Sequence, residues 1–210
     1  MRQTLLRLLS FIFVLMAAVS GFAAEPGPKT ESFFIGLPVD GIAMTHGGDV
    51  ALASGPPGIA VLQEPKISNG FALLAKVRDA NNEVVGLASE LEIFPAGVDM
   101  LRENVVWDTS WTLMIPGRGS LYLHEQEHSG ELGTKIIIPV QESGEAWHGD
   151  WTVTTTVGPR ADGYGMIVGG FGEFEGASGK FQEIVSLTGF EPAGIMLGQV
   201  ELRLVFDPTQ

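Results

Sequence analysis

The chain has 210 residues, a formal net charge of −13 and no cysteine. Nucleic acid and anionic lipid are bound through clusters of Lys and Arg, so this acidic composition predicts no nucleic-acid partner. The lack of cysteine excludes disulfides, thiolate catalysis and cysteine-ligated metals, and the fold must therefore be stabilised by an ordinary apolar core.

Residues 1–24 are typical of an export signal. Arg2 and Arg7 flank the start of an apolar run, LLSFIFVLMAAVSG, and small residues follow it, which predicts cleavage after Ala24. The run is about 14 residues long, short of the roughly 20 that a membrane-spanning helix needs. We expect a periplasmic or secreted protein with no stable membrane insertion after cleavage; an uncleaved anchor is the alternative.

Residues 25–70 contain eight Gly and six Pro. This composition predicts an extended lead-in with turns and one or two short strands, placed before a barrel domain over residues 71–210. The segment SNGFALLAKVRDANNE, at the start of that domain, is compatible with a helix or with a strand.

From Asn82 onward, alternating apolar and polar residues predict closely spaced strands. We assign eight of them, to residues 83–94, 104–115, 120–127, 134–140, 150–158, 163–170, 180–190 and 198–206. This pattern predicts an all-β fold, a closed antiparallel barrel of eight strands, since closure removes exposed sheet edges.

The glycine-rich stretch from Ile167 to Phe181, IVGGFGEFEGASGKF, has two interpretations. A dinucleotide-binding loop needs G-x-G-x-x-G at the start of a helix, whereas the residues that follow here alternate as in a strand. We therefore expect a tight turn between two strands, with Phe174 packed inward.

The pattern Gly169-Gly170-x-Gly172-x-Phe174-x-Gly176-Ala177-x-Gly179 resembles the signature turn of the allene oxide cyclase-like and dirigent-like barrels. The resemblance extends over residues 83–206, although Phe171 stands where that family usually has a small hydroxyl residue. It implies an eight-stranded barrel with an apolar cavity for a small hydrophobic ligand, often in a homotrimer. It also implies a cofactor-free cyclase, or a protein that steers the coupling of a reactive intermediate.

Two residues are candidates for catalysis. Glu90 shares one face of the predicted strand 83–94 with Glu92, and a carboxyl group inside an apolar barrel has a raised pKa suited to proton transfer. An outward polar face is the alternative for this pair. Tyr122 is the second candidate, because its hydroxyl group could hydrogen-bond a ligand.

Four aromatic residues are expected to bind the ligand: Phe94, Trp107, Trp111 and Phe174. Trp107 and Trp111 share one face of their predicted strand, where they would form either an aromatic wall or part of the core or a subunit interface. We expect no metal site. His124 and His128 would lie about 13 Å apart on a strand, too far to share an ion, and only a helix would make them neighbours.

Three functions remain open from the sequence. The first is a cofactor-free cyclase, isomerase or coupling guide; the second is a lipocalin-like carrier without catalysis. The third is a barrel filled with side chains that serves as a structural or interaction module.

Overall fold

A computed structural model describes residues 27–47, 60–62, 67 and 69–208. The predicted export signal, residues 1–24, lies outside the described residues, as does part of the expected lead-in. Among the residues that are described, no helix is both long and apolar enough to cross a membrane.

Within these ranges the chain forms twelve strands and a short helical segment. The strands are β1 (Lys29–Leu37), β2 (Gly41–Gly47), β3 (Ala60–Leu62), β4 (Gly70–Arg78), β5 (Val84–Ile93), β6 (Trp107–Ile115), β7 (Gly119–Glu127), β8 (Trp147–Thr154), β9 (Thr156–Gly158), β10 (Gly165–Gly172), β11 (Gly179–Phe190) and β12 (Met196–Phe206). A π-helical turn (Gly133–Ile137) leads directly into α1 (Ile138–Ser143), and together they are called the mouth helix.

Eight strands close into an antiparallel barrel, which confirms the predicted fold class. Their order around the barrel is β1, β12, β11, β10, β7, β6, β5 and β4, and β4 returns to β1 through the pair Phe34 and Arg78. At one end of the barrel, β8 pairs with β11 and β9 pairs with β7, so these two strands continue the wall beyond β10.

The strand that closes the barrel comes from the segment expected to be a lead-in. β1 pairs with β12 over nine residues, from Lys29 opposite Phe206 to Leu37 opposite Gly198. β2 continues the sheet at the other edge of β4. The barrel therefore begins before residue 71, and SNGFALLAKVRDANNE contains strand β4 rather than a helix.

The predicted strand over residues 134–140 is wrong, because these residues form the mouth helix. Three consecutive isoleucines favour a strand by propensity, yet Ile136, Ile137 and Val140 are buried together against Leu187 and Phe190 of β11. Tertiary packing of one apolar face outweighs the weak local preference.

The mouth helix carries its own termination signal. Pro139 occupies the first turn of α1, and Gly144 ends the helix with a φ of 70°, a left-handed conformation that glycine adopts without strain.

The predicted strand over 150–158 is divided into two strands, since Thr155 separates β8 from β9.

The glycine-rich stretch is a turn between β10 and β11, as expected, and no helix begins within it. Gly172 has a φ of 70°, and a Cβ atom on Gly170 would lie 2.5 Å from the Cβ of Phe174. Phe174 is buried and stacks on Phe206, with ring centroids 6.3 Å apart. The guanidinium of Arg118 lies 4.8 Å from the centre of the Phe174 ring and closes this end of the barrel.

The interior is filled at this closed end. Inward-facing residues of the barrel strands form one apolar cluster, which includes Phe33, Leu113, Leu121, Ile167, Phe181 and Leu204. At the opposite end, where β5 finishes and β6 starts, the interior is open to a cavity. The barrel is therefore packed solid over only part of its length.

Candidate functional site

The open end of the barrel contains a cavity of about 230 Å³. Its walls are mostly apolar and come from the barrel strands, β2, the mouth helix and the loops at this end of the barrel, including the loop between β5 and β6. Representative apolar lining residues are Leu37, Phe71, Leu73, Met100, Met196 and Val200. The cavity volume and its walls suit a small, largely hydrophobic molecule.

Four glutamates also line this apolar cavity: Glu90, Glu92, Glu127 and Glu183. A fifth, Glu125, is completely buried beside them. We call these five residues the glutamate cluster. One carboxyl oxygen from each of Glu90, Glu127 and Glu183 lies within 4.8 Å of the others, so a single cation could contact all three groups.

Strand alternation directs these side chains inward. In β5, Glu90 and Glu92 follow Ala88 on the inner face, whereas Leu87, Leu91 and Ile93 are exposed on the outer face. The outward alternative for the Glu90 and Glu92 face is therefore wrong.

The other members of the cluster follow the same rule. In β7, Glu125 and Glu127 continue the inward series of Leu121 and Leu123. In β11, Glu183 lies two residues after the buried Phe181.

Donors from the barrel wall hold three of the five carboxyl groups. Glu127 accepts hydrogen bonds from the indole nitrogen of Trp107, at 3.1 Å, and from the hydroxyl of Thr109. The indole nitrogen of Trp111 donates to Glu183 at 3.0 Å and to Glu125 at 3.2 Å. Glu125 also accepts from Thr156. Buried carboxyl groups require such partners.

Glu90 is held differently, because its carboxyl group is hydrogen-bonded to the neighbouring carboxyl group of Glu92. Among the described residues, none donates a hydrogen bond from an N–H or a hydroxyl group to the carboxyl of Glu90, although only 6% of this residue is exposed. Fully enclosed side-chain polar atoms in the described part of the chain all have partners. The carboxyl oxygens of Glu90 therefore open into the cavity.

The environment favours the protonated form of the whole cluster. Burial raises the pKa of Glu90 well above its ordinary value of 4.5, and repulsion from Glu92, Glu183 and Glu127 raises it further. Burial also raises the pKa values of Glu92, Glu125 and Glu183.

Glu127 differs in degree from the other members. Burial raises its pKa to about 7, and hydrogen bonds from Thr109 and Trp107 limit the shift by stabilising the carboxylate. A carboxyl group that titrates near neutral pH is suited to general acid and base chemistry.

Three of the six predicted site residues line the cavity: Glu90, Phe94 and Trp107. The rings of Phe94 and Trp107 meet edge to face, 5.3 Å apart, and form one side of its wall. Trp111 lies behind the wall, buried and bound to Glu125 and Glu183, so its role is to hold two carboxyl groups.

The other two residues lie elsewhere. Tyr122 alternates with the inward-facing Leu121 and Leu123, and it therefore lies on the outer face of β7, against Phe171. Phe174 fills the closed end of the barrel. Neither residue lines the cavity.

Three members of the glutamate cluster were missed from the sequence: Glu125, Glu127 and Glu183. The signal for them is present in the alternation of β7 and β11, where each glutamate occupies a position of the inward series. The histidines near Glu125 do not come together, since His124 is on the outer face beside Asp108, and His128, beyond the end of β7, contacts Asn104.

No protein-family model matches this chain, and no curated protein matches it significantly. Because folds of this kind carry many functions, the residues of the cavity are the basis for a functional assignment.

Proposed function

We propose that the protein is an exported barrel that binds a small hydrophobic molecule in its cavity and moves a proton on that molecule through Glu90, as a cofactor-free isomerase or cyclase. The observation that carries this proposal is the Glu90 carboxyl group, which is buried, lacks a donor from the described residues and opens into an apolar cavity. A carboxyl group in such an environment holds its proton at neutral pH and can donate it to a bound ligand.

Proton transfer within one ligand needs no external oxidant or reductant. Glu90 donates its proton to a double bond or an oxygen of the ligand. The newly formed Glu90 carboxylate then removes a proton from a second atom of the same molecule, which returns Glu90 to its protonated form. The ligand is rearranged with no net gain or loss of protons or electrons, and the apolar walls hold it in the reactive conformation.

The assignment to a class of barrel follows from the glycine turn. Its pattern of glycines around Phe174 resembles that of the allene oxide cyclase-like and dirigent-like barrels, whose members include cofactor-free cyclases and coupling guides. The features of residues 1–24 support export to the periplasm or the medium. By the same resemblance we propose a homotrimer, with subunits in contact through the apolar outer face of the barrel.

A carrier without catalysis is the second candidate. It is favoured by the predominance of apolar residues in the cavity walls, which suits the transport of a hydrophobic ligand. The two candidates differ in the role of Glu90, which a carrier does not need for chemistry.

The test begins with the natural ligand. Native mass spectrometry of protein purified from the producing cells identifies the bound molecule, which is then incubated with fresh protein in deuterium oxide. We expect the protein to incorporate deuterium into the ligand or to convert it to an isomer. Glu90→Gln should lower that rate by about 100-fold or more, because a general acid contributes roughly this factor.

Glu175→Gln is the matched control, since Glu175 lies exposed on the turn between β10 and β11. Circular dichroism checks that both variants are folded. Binding without deuterium incorporation by the unaltered protein would support the carrier instead. An unchanged rate in Glu90→Gln would show that Glu90 is not the acid.

A further inference from the structure

The polar part of the cavity has only one kind of ionisable group. Four glutamates line it, and none of the described lining residues is Lys, Arg or His. The indole groups of Trp107 and Trp111 and the hydroxyl groups of Thr109 and Thr156 are already directed to Glu125, Glu127 and Glu183. A ligand that is an anion would find no positive group in the described lining to bind its charge.

Glu90 marks the position at which a ligand would complete the site. Its carboxyl group is more than nine-tenths buried, has no N–H or hydroxyl donor among the described residues, and opens into the cavity. Oxygens of Glu127 and Glu183 lie within 4.8 Å of it and of each other. A positively charged group at this point would contact three carboxyl groups at once, and its charge would favour the ionised form of Glu127, whose pKa of about 7 allows it to ionise near neutral pH while Glu90 keeps its proton.

We infer that the cavity selects an organic ammonium ion carried on a compact hydrophobic body, with the charged nitrogen between Glu90, Glu127 and Glu183. The inference rests on the proposed function, since it specifies the ligand of the same cavity. The apolar walls and the carboxyl groups then have complementary roles, because the walls bind the body and the carboxyl groups bind the nitrogen.

The size of the cavity sets the size of the body. An apolar cavity of about 150 Å³ binds benzene in another protein. The cavity here, of about 230 Å³, therefore accommodates one ring with a short aminoalkyl arm. Phe94 and Trp107 lie in the wall beside Glu92 and Glu127, where aromatic faces favour a cation as well as a ring.

A bare divalent metal ion would use the carboxyl groups but not the apolar wall. Most of the cavity surface is hydrophobic, and a hydrated ion gains nothing from it. The organic cation accounts for both parts of the cavity, and this is why we favour it over a metal.

Three probes of similar shape and different charge test the inference on the full mature chain: 2-phenylethylammonium, 2-phenylethanol and phenylacetate. Isothermal titration calorimetry at neutral pH measures the dissociation constant of each. We expect the ammonium to bind at least about tenfold more tightly than the alcohol, and phenylacetate to bind more weakly than both. Glu127→Gln should remove most of the preference for the ammonium and leave alcohol binding within about twofold, while Glu175→Gln should change neither.

Several results would overturn the inference: equal affinity for the ammonium and the alcohol, equal weakening of both by Glu127→Gln, or no binding of any probe. Displacement of the ammonium by Mg²⁺ or Ca²⁺ at comparable concentration would assign the three carboxyl groups to a metal instead. Binding of the alcohol without charge preference would reject the ammonium and leave the proposed hydrophobic ligand site intact. The proposed function fails separately, when the natural ligand is bound but not converted.

Discussion

At the scale of the residue, the main feature is a group of five acids enclosed in an apolar barrel. A folded carboxyl group whose pKa is raised binds its proton more tightly than the same group in the unfolded chain. The carboxyl groups of the cluster therefore favour their protonated form at neutral pH, and ionisation of these groups destabilises the folded state.

This environment predicts an unusual pH dependence of stability. Between pH 4.5, the ordinary pKa of glutamate, and about 7, the pKa of Glu127, the folded chain binds more protons than the unfolded chain. The free energy of unfolding must therefore fall as the pH rises through this window, by on the order of 3 kcal/mol from Glu127 alone once the pH exceeds 7. Urea unfolding at a series of pH values measures the slope.

Glu90→Gln provides the control, because glutamine has no proton to lose and the slope should become shallower. Asp40 has its pKa lowered to about 2 by a hydrogen bond from Arg78 and does not titrate in this window. A free energy of unfolding that is constant or increases between pH 4.5 and 7 would contradict the raised pKa values.

The sequence predicted that Glu90 shares a strand face with Glu92 and that Trp107 shares one with Trp111, because alternation fixes which side chains point the same way. It left open which of these faces lines the interior. The sequence analysis did not place Tyr122 on the outer face of its strand, where the inward-facing neighbours Leu121 and Leu123 require it to lie. It also did not reveal that Glu127 and Glu183 approach Glu90, since that proximity depends on how strands distant in sequence are paired around the barrel.

At the scale of the element, alternation identified seven of the eight predicted segments as strands, and local propensity was misleading at the mouth helix. Isoleucine favours strands, but the burial of Ile136 and Ile137 against β11 is a tertiary contact that no local pattern contains. The Gly and Pro content of residues 25–70 predicted only one or two short strands in a lead-in, and it did not reveal that β1 belongs to the barrel, with Phe33 and Ile35 in the core.

The glycine turn allows a direct test of close packing. In Gly170→Ala, the new Cβ atom would meet the carbonyl oxygen of Ser120 and the Cβ of Phe174, both of which are held in place by the barrel. We expect a loss of about 2 kcal/mol or more in the free energy of unfolding, since such overpacking forces the backbone to shift. Urea denaturation measures it.

Gly163→Ala is the matched comparison, because Gly163 has a φ of 79° but no atom within 4 Å of the added Cβ. Only backbone strain acts there, and the expected loss is about 1 kcal/mol. Equal losses of unfolding free energy in the two variants would show that the close contacts of residue 170 with Ser120 and Phe174 are not the reason that the turn needs glycine there.

At the scale of the whole molecule, the outer surface of the barrel carries large exposed apolar side chains. Leu87, Met114, Ser120 and Phe171 occupy one row across β5, β6, β7 and β10, and 65% of Phe171 is exposed. Such apolar surface is typical of a subunit interface.

The proposed trimer can be tested on this row. Sedimentation velocity of the unaltered protein should give a trimer, and Phe171→Glu should dissociate it by placing a charge within the apolar contact. Val157→Glu, which changes an exposed apolar residue of β9 near the cavity end, is the control and should leave the trimer intact. A monomeric unaltered protein would contradict the proposal.

The pairing of β1 with β12 has a consequence for biosynthesis. The barrel is closed where β1 pairs with β12, the strand that ends at Phe206. This pairing joins residues near the two ends of the described part of the chain. Contacts this distant in sequence form late and slowly. A ribosome that has translated residues up to β11 would display an open sheet with β1 still lacking its principal partner, and the cavity can acquire its full enclosure only after β12 has been translated.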